Sequence, residues 1–139
     1  MSQSIPEIAV VDTHALMWWI DERTRSLGRR ARAFFERVDR GAAVACVPTI
    51  ALVEMGEAMQ RGTFALDESF DAFVARLEGT PSRYQVVPLT ASIVCRAHEI
   101  YAIPERGDRL IAATARELGL PLVTRDPRIA AAIGGEQLW

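Results

Sequence analysis

The sequence predicts an α/β fold: a central, mostly parallel sheet of about four or five strands with helices on both faces. Three observations carry that expectation. The apolar runs are short and do not alternate, as in Ile8-Ala9-Val10-Val11 and Ala43-Val44-Ala45-Cys46-Val47, which suits strands buried on both faces. Between them lie segments with helical periodicity, such as Ala31, Phe34, Phe35 and Val38 on one face of an arginine-rich stretch. Strand and helix signals then alternate along the chain, the pattern of βα units paired in parallel.

Taken in order, the first strand is Ile8-Ala9-Val10-Val11, and Asp12-Thr13 opens a helix over 14–20. A second helix is expected over 26–40, stopped by Gly41. The second strand, 43–47, leads through Pro48-Thr49 into a helix over 49–61 that Gly62 ends. Asp67 is expected to cap a helix over 68–77, with Gly79 at its end. The third strand covers 84–89, and Thr90 caps a helix over 91–101. Asp108 is expected to begin a helix that Gly119 ends, followed by a fourth strand over 120–124. Asp126-Pro127 starts a short helix to Ile133, and Gln137-Leu138-Trp139 adds an edge strand. With 139 residues, 50% hydrophobic and 24% charged, and no linker or repeat, the expected organisation is one domain over 1–139.

The formal net charge of −2 argues against a broad basic surface that coats nucleic acid, but leaves room for a local arginine cluster. All 16 basic residues are arginine. Without lysine there is no P-loop NTPase and no Schiff-base chemistry, and phosphate contact falls to arginine's forked donors. Cys46 and Cys95 lie in apolar contexts without metal-ligand spacing and are expected to be buried free thiols of a reducing compartment. No signal segment or membrane-spanning run is evident, so a cytoplasmic location is expected.

Four acids stand where such a fold does chemistry. Asp12 follows the first strand and Asp126 the fourth. Asp108 begins the helix that feeds the fourth strand, and Glu54 lies about a turn into the helix after the second. Ligands of open parallel sheets bind beyond the carboxyl ends of the strands, so these positions are compatible with one pocket. Each acid also has a local explanation: Asp12, Asp108 and Asp126 as caps or turn residues, Glu54 on a solvated helix face. Glu57 has Arg61 four residues on as an ion-pair partner, whereas Glu54 has no such partner and is the better ligand candidate.

The segment from Val10 through Asp12-Thr13-His14 to Trp18-Trp19 resembles the opening of PIN-domain proteins of the VapC toxin type. Val53-Glu54-Met55-Gly56 is similar to the family's helix glutamate segment. Asp108-Arg109-Leu110-Ile111-Ala112-Ala113-Thr114-Ala115 resembles its third acidic motif, and Leu122-Val123-Thr124-Arg125-Asp126 its fourth. Order, spacing and the terminal tryptophan agree over essentially the whole chain. The resemblance implies a PIN-like three-layer α/β/α fold and a Mg²⁺- or Mn²⁺-dependent ribonuclease. Asp12 and Asp108 are then the central ligands, completed by Glu54 and Asp126. Four clustered carboxylates repel one another unless cations neutralise them, and oxygen-only donors suit hard ions over zinc.

Thr13 and Thr124 are candidates to orient ligands or substrate, or simply cap and pack. Arg109, Arg125 and Arg128 are placed to meet RNA phosphates or to pair with the acids. Trp18 and Trp19 can stack on bases, with core packing as the alternative. The resemblance further implies a toxin that cleaves cellular RNA and inhibits translation, a cognate antitoxin protein and a homodimer. Apolar segments 17–20 and 64–77 serve as its surfaces or as core. Two rivals remain: a catalytically silent protein-binding module of the same fold, and a housekeeping nuclease. A phosphatase needs an Asp-x-Asp pair or a lysine, and Thr13-His14 follow Asp12 instead.

Overall fold

A computed structural model describes residues 4–139, so residues 1–3 of the expected 1–139 domain lie outside the described part. Among the described residues there are five strands: β1 (Ile8–Val11), β2 (Val44–Pro48), β3 (Tyr84–Val87), β4 (Leu122–Val123) and β5 (Gln137–Leu138). The helices are α1 (Thr13–Ile20), α2 (Arg29–Asp39), α3 (Thr49–Gln60), α4 (Phe70–Glu78), α5 (Ala91–His98), α6 (Arg106–Leu118) and α7 (Pro127–Ile133).

The strands form a single sheet in the order β3-β2-β1-β4-β5, every neighbouring pair parallel. Val10 lies opposite both Cys46 and Leu122, and Val11 opposite Val123. Successive side chains of a strand point to opposite faces. This register therefore stacks Ala9, Val11, Ala45, Val47, Val123 and Leu138 into one core, where Leu16, Phe34, Phe35, Met55 and Phe73 from α1 to α4 cover them. Val10, Cys46 and Leu122 belong to a second core, closed by Ile93, Ile111 and Ile129 from α5, α6 and α7. Two cores on two faces make the three-layer α/β/α architecture that the unalternating strands predict, and the sheet is wholly parallel.

The strand order reverses once. The chain builds β1, β2 and β3 outward in one direction, then returns to place β4 on the other side of β1. The carboxyl ends of β1 and β4 flank that switch point, where open α/β sheets leave a crevice.

Several boundaries differ from expectation. The helix expected over 26–40 is a short 3-10 turn, Thr24–Ser26, followed by α2. Buried Leu27 is extended, and Gly28 caps α2 with Trp139 so close that a Cβ there would fall 2.6 Å from its Cδ1. Ser69, not Asp67, caps α4 by accepting from Ala72 N–H at 3.1 Å, while Glu68 pairs with Arg76. The third strand stops at Val87 and α5 at His98, both short of expectation. Asp108 does not begin its helix: α6 starts at Arg106 with Glu105 in the cap position. Of the two cysteines, Cys46 is buried but Cys95 is exposed. The inward positions of its helix go to Ile93 and Ala97, which turns residue 95 outward. Phe64, Phe73 and Leu77 of segment 64–77 are buried and serve the core. Among the described residues no helix is long and apolar enough to cross a membrane.

Candidate active site

β1 and β4 deliver the first two acids to the switch point. Asp12 leaves β1 with its backbone N–H still donating to the Val123 carbonyl at 3.1 Å, then caps α1 by accepting from Ala15 N–H at 2.8 Å. One residue beyond β4, Thr124 is 1% exposed. Its hydroxyl is the side-chain hydrogen-bond partner of the Asp12 carboxylate and accepts from Asp126 N–H at 3.2 Å. One buried hydroxyl therefore ties the two strand-end acids together. Burial pushes the Asp12 carboxyl up to about 6, against the donors Ala15 and Thr124 and the nearby His14, which pull it down.

Asp126 caps α7, accepting from Arg128 N–H at 2.9 Å. The Arg128 guanidinium closes on the same carboxylate, Nη2 to Oδ2 at 2.8 Å and Nε to Oδ1 at 3.2 Å, and holds it below the usual carboxylate range. Asp108 sits half-buried in the first turn of α6. Burial raises its carboxyl, and the charges of Glu54, Glu105 and Asp126 raise it further, against His14. Glu54, half-buried on α3, accepts a hydrogen bond from the Thr13 hydroxyl and rests against Gly107.

Asp12, Asp108 and Asp126 open into one cleft of about 440 Å³, whose walls include Trp18, Arg125 and Arg128. Glu54 lines an adjoining depression of about 130 Å³ together with Thr13 and Met17, and His14 borders both. The four sequence-nominated acids thus gather on one edge of the sheet, three in the cleft and the fourth beside it. Their chemistry fits a hard divalent cation, because every donor is a carboxylate oxygen and each raises or feels the field of another. In this conformation they do not form a finished cage: among the described residues no three carboxylate, imidazole or thiol groups stand close enough to share one ion.

The arginines divide by task. Arg109 donates to the carbonyls of Ile103 and Pro104 at 2.7 and 2.8 Å, lacing the loop before α6. Arg128 clamps Asp126. Arg125 lies over the Trp18 ring at 5.1 Å, with Trp139 edge-on to the same ring at 6.1 Å. Trp19 stacks on Phe35 at 5.4 Å and belongs to the core. Glu57 pairs with Arg61 at 4.0 Å, both exposed. Sequence reasoning passed over two residues at this edge, Glu105 and Gly107. The signal for Glu105 is Pro104 immediately before it, since proline disfavours helix in its predecessor and commonly stands at helix starts.

The family described as the PIN domain matches residues 9–134. Among curated proteins none matches the chain in sequence. Solved structures share its fold. VapBC2 from Rickettsia felis bound to a promoter DNA fragment has a TM-score of 0.65 at 15% identity, covering 94% of this chain and 96% of that one. VapBC from Salmonella typhimurium bound to DNA has a TM-score of 0.64 at 21% identity, covering 97% and 98%. FitAcB from Neisseria gonorrhoeae has a TM-score of 0.60 at 18% identity, covering 95% and 96%.

Proposed function

The chain belongs to the PIN-domain family, and from that premise we propose that it is a Mg²⁺- or Mn²⁺-dependent endoribonuclease, the toxin of a VapC-type toxin–antitoxin pair. The observation that carries the reading is the meeting of Asp12 and Asp126 at the switch point through buried Thr124, with Asp108 in the same cleft.

Asp12 and Asp108 are the central holders of the cation, with Glu54 and Asp126 completing the set. When bound, the cation supplies charge for the scissile phosphate and a water acidic enough to attack it at neutral pH. The remaining work belongs to the chain. Burial raises the Asp12 carboxyl to about 6, so below that value a cation must displace a proton to take this oxygen. Thr13 and Thr124 orient Glu54 and Asp12 by their hydroxyls. Arg125 and Arg128, exposed on the cleft wall, are placed to take flanking phosphates with forked donors. Arg109 keeps the loop before α6 in place instead.

The direct test is cleavage of a fluorophore-labelled RNA by the purified chain. Cleavage is expected with Mn²⁺ and none in EDTA. Full activity of Asp12→Asn or Asp108→Asn refutes the site, and cleavage unaffected by EDTA refutes the metal. Likeness to VapBC complexes supports a toxin blocked by a cognate antitoxin protein, and the proposal extends to a cytoplasmic homodimer. Growth arrest on expression, relieved by the neighbouring gene's product, is the corresponding observation in cells. One structural detail favours the silent-module reading: Arg128 already neutralises Asp126. The same cleavage assay separates the two.

A further inference from the structure

Of the nine glycines in the chain, Gly41, Gly62, Gly119 and Gly134 have positive φ, so their backbones call for glycine. Gly107 does not. It is the second residue of α6, in a conformation any residue adopts, where alanine suits a helix better. The space its side chain would fill is taken by the Glu54 carboxylate. A Cβ at position 107 would stand 2.8 Å from Glu54 Cδ and closer still to Oε2. From the other side the Thr13 hydroxyl donates to Oε1 of the same group. The carboxylate is thus held between α1 and α6, beside Asp108 on the next position of α6.

We propose that Gly107 is a positioning residue for cation binding: its missing side chain seats the Glu54 carboxylate beside Asp108, at the border of the cleft that Asp12 and Asp126 share, and any larger residue displaces it. The inference rests on the nuclease reading above. The clash falls on the end of a flexible, half-buried side chain and on no backbone atom, so Glu54 can rotate away while the fold stays whole. Gly107 therefore trades helix preference for the placement of a charge, and the two effects separate in a single variant.

The test is Mn²⁺ binding by isothermal titration, read beside thermal melting in EDTA. Gly107→Ala is expected to melt at or above the wild-type temperature and to bind Mn²⁺ about 10-fold or more weakly, the range seen when a partner that orients a metal ligand is lost. Gly56→Ala, whose Cβ meets the Phe70 ring at an ordinary 3.4 Å, controls for alanine in a helix and is expected to bind as wild type. Glu54→Asp retracts the carboxylate by one methylene. In that background Gly107→Ala is expected to cost about 2-fold or less, a non-additivity that follows from two groups competing for one space. Equal binding by wild type and Gly107→Ala overturns the inference and leaves the nuclease reading standing. So does an equal cost in both Glu54 backgrounds. If wild type takes up no Mn²⁺ and cleaves no RNA, both fall.

Discussion

Thr124 and Asp12 meet across the seam where the sheet reverses its order, a buried hydroxyl against a buried-edge carboxylate on adjacent parallel strands. The pairing follows from register. Val11 and Val123 are opposite one another, so the next residue of each strand emerges at the same height. A one-residue slip would turn one of them to the other face. Every expectation below depends on this placement.

Asp12→Asn is expected to abolish cleavage and stabilise the metal-free protein. Asparagine caps a helix about as well as aspartate, so α1 keeps its start. The folded value of about 6 lies above the ordinary 3.8. The native state therefore holds a proton that the unfolded chain has already released between those values. Stability is full below about pH 4, is lost as pH rises through 6, and stays low above it. The loss is on the order of 2–3 kcal/mol as an upper bound. Urea melts in EDTA should show Asp12→Asn matching wild type near pH 4 and exceeding it at pH 8. Equal stability at pH 8 would show that Asp12 is not strained by burial.

Thr124→Val keeps the shape of the strand end and removes its hydroxyl. Asp126 N–H then loses its acceptor and Asp12 a donor. A cost of about 1–2 kcal/mol is expected from urea melts, in line with an unsatisfied buried group. Asp12 loses a partner that favours its charged form, so its titration moves further up. The acid limb of the cleavage–pH profile should follow it to higher pH. An unmoved limb would detach Asp12 from the titration that controls activity.

Much of this geometry was legible before folding. Val10 and Val11, apolar on both sides, announce a strand covered twice, and Asp12 directly after them marks its carboxyl end. The register that brings Thr124 to Asp12 was not legible, because the sequence of one strand does not state its neighbour. The sequence places Asp108 at the start of its helix, because an acid in that position reads as a cap. In the structure Gly107 lies inside α6, and its smallness serves Glu54 instead of the backbone. Ser69 displaced Asp67 as a cap because both residue types cap well, and only the packing of Phe70 and Phe73 selects between them. Arginine roles were the least readable. Arg109, Arg125 and Arg128 share a composition but end on carbonyls, a ring and a carboxylate respectively.

Arg128→Ala is expected to lower the Mn²⁺ concentration that gives half-maximal cleavage. The guanidinium and a cation compete for the Asp126 carboxylate, and removing one favours the other. The KM for RNA should rise at the same time, since the cleft loses a phosphate donor. Both partners reach solvent, so the melting temperature should not change. Cleavage titrated with Mn²⁺ at fixed RNA, then with RNA at saturating Mn²⁺, separates the two effects. An unchanged Mn²⁺ requirement would mean that Asp126 does not contact the cation.

Trp18 gives the expectation closest to the substrate. Its ring is half-buried against the first core, lines the cleft, and carries Arg125 on its face at 5.1 Å. Among the described residues Arg125 has no carboxylate partner, so a phosphate can draw it off the ring and leave a flat apolar surface beside the acids. A base stacked there is worth about 1–3 kcal/mol. Trp18→Leu keeps apolar volume without the π-face, and Trp18→Phe keeps both in smaller form. In the Asp108→Asn background, which binds without cutting, fluorescence anisotropy with a labelled single-stranded RNA should show Trp18→Leu binding about 5- to 150-fold more weakly, the range that this stacking energy sets. Trp18→Phe should retain most of the affinity, and kcat in the active background should change far less than KM. Melting temperatures identify any loss that is only structural. Equal RNA affinity in a folded Trp18→Leu would assign the ring to packing alone and leave Arg125 and Arg128 as the wall's contacts.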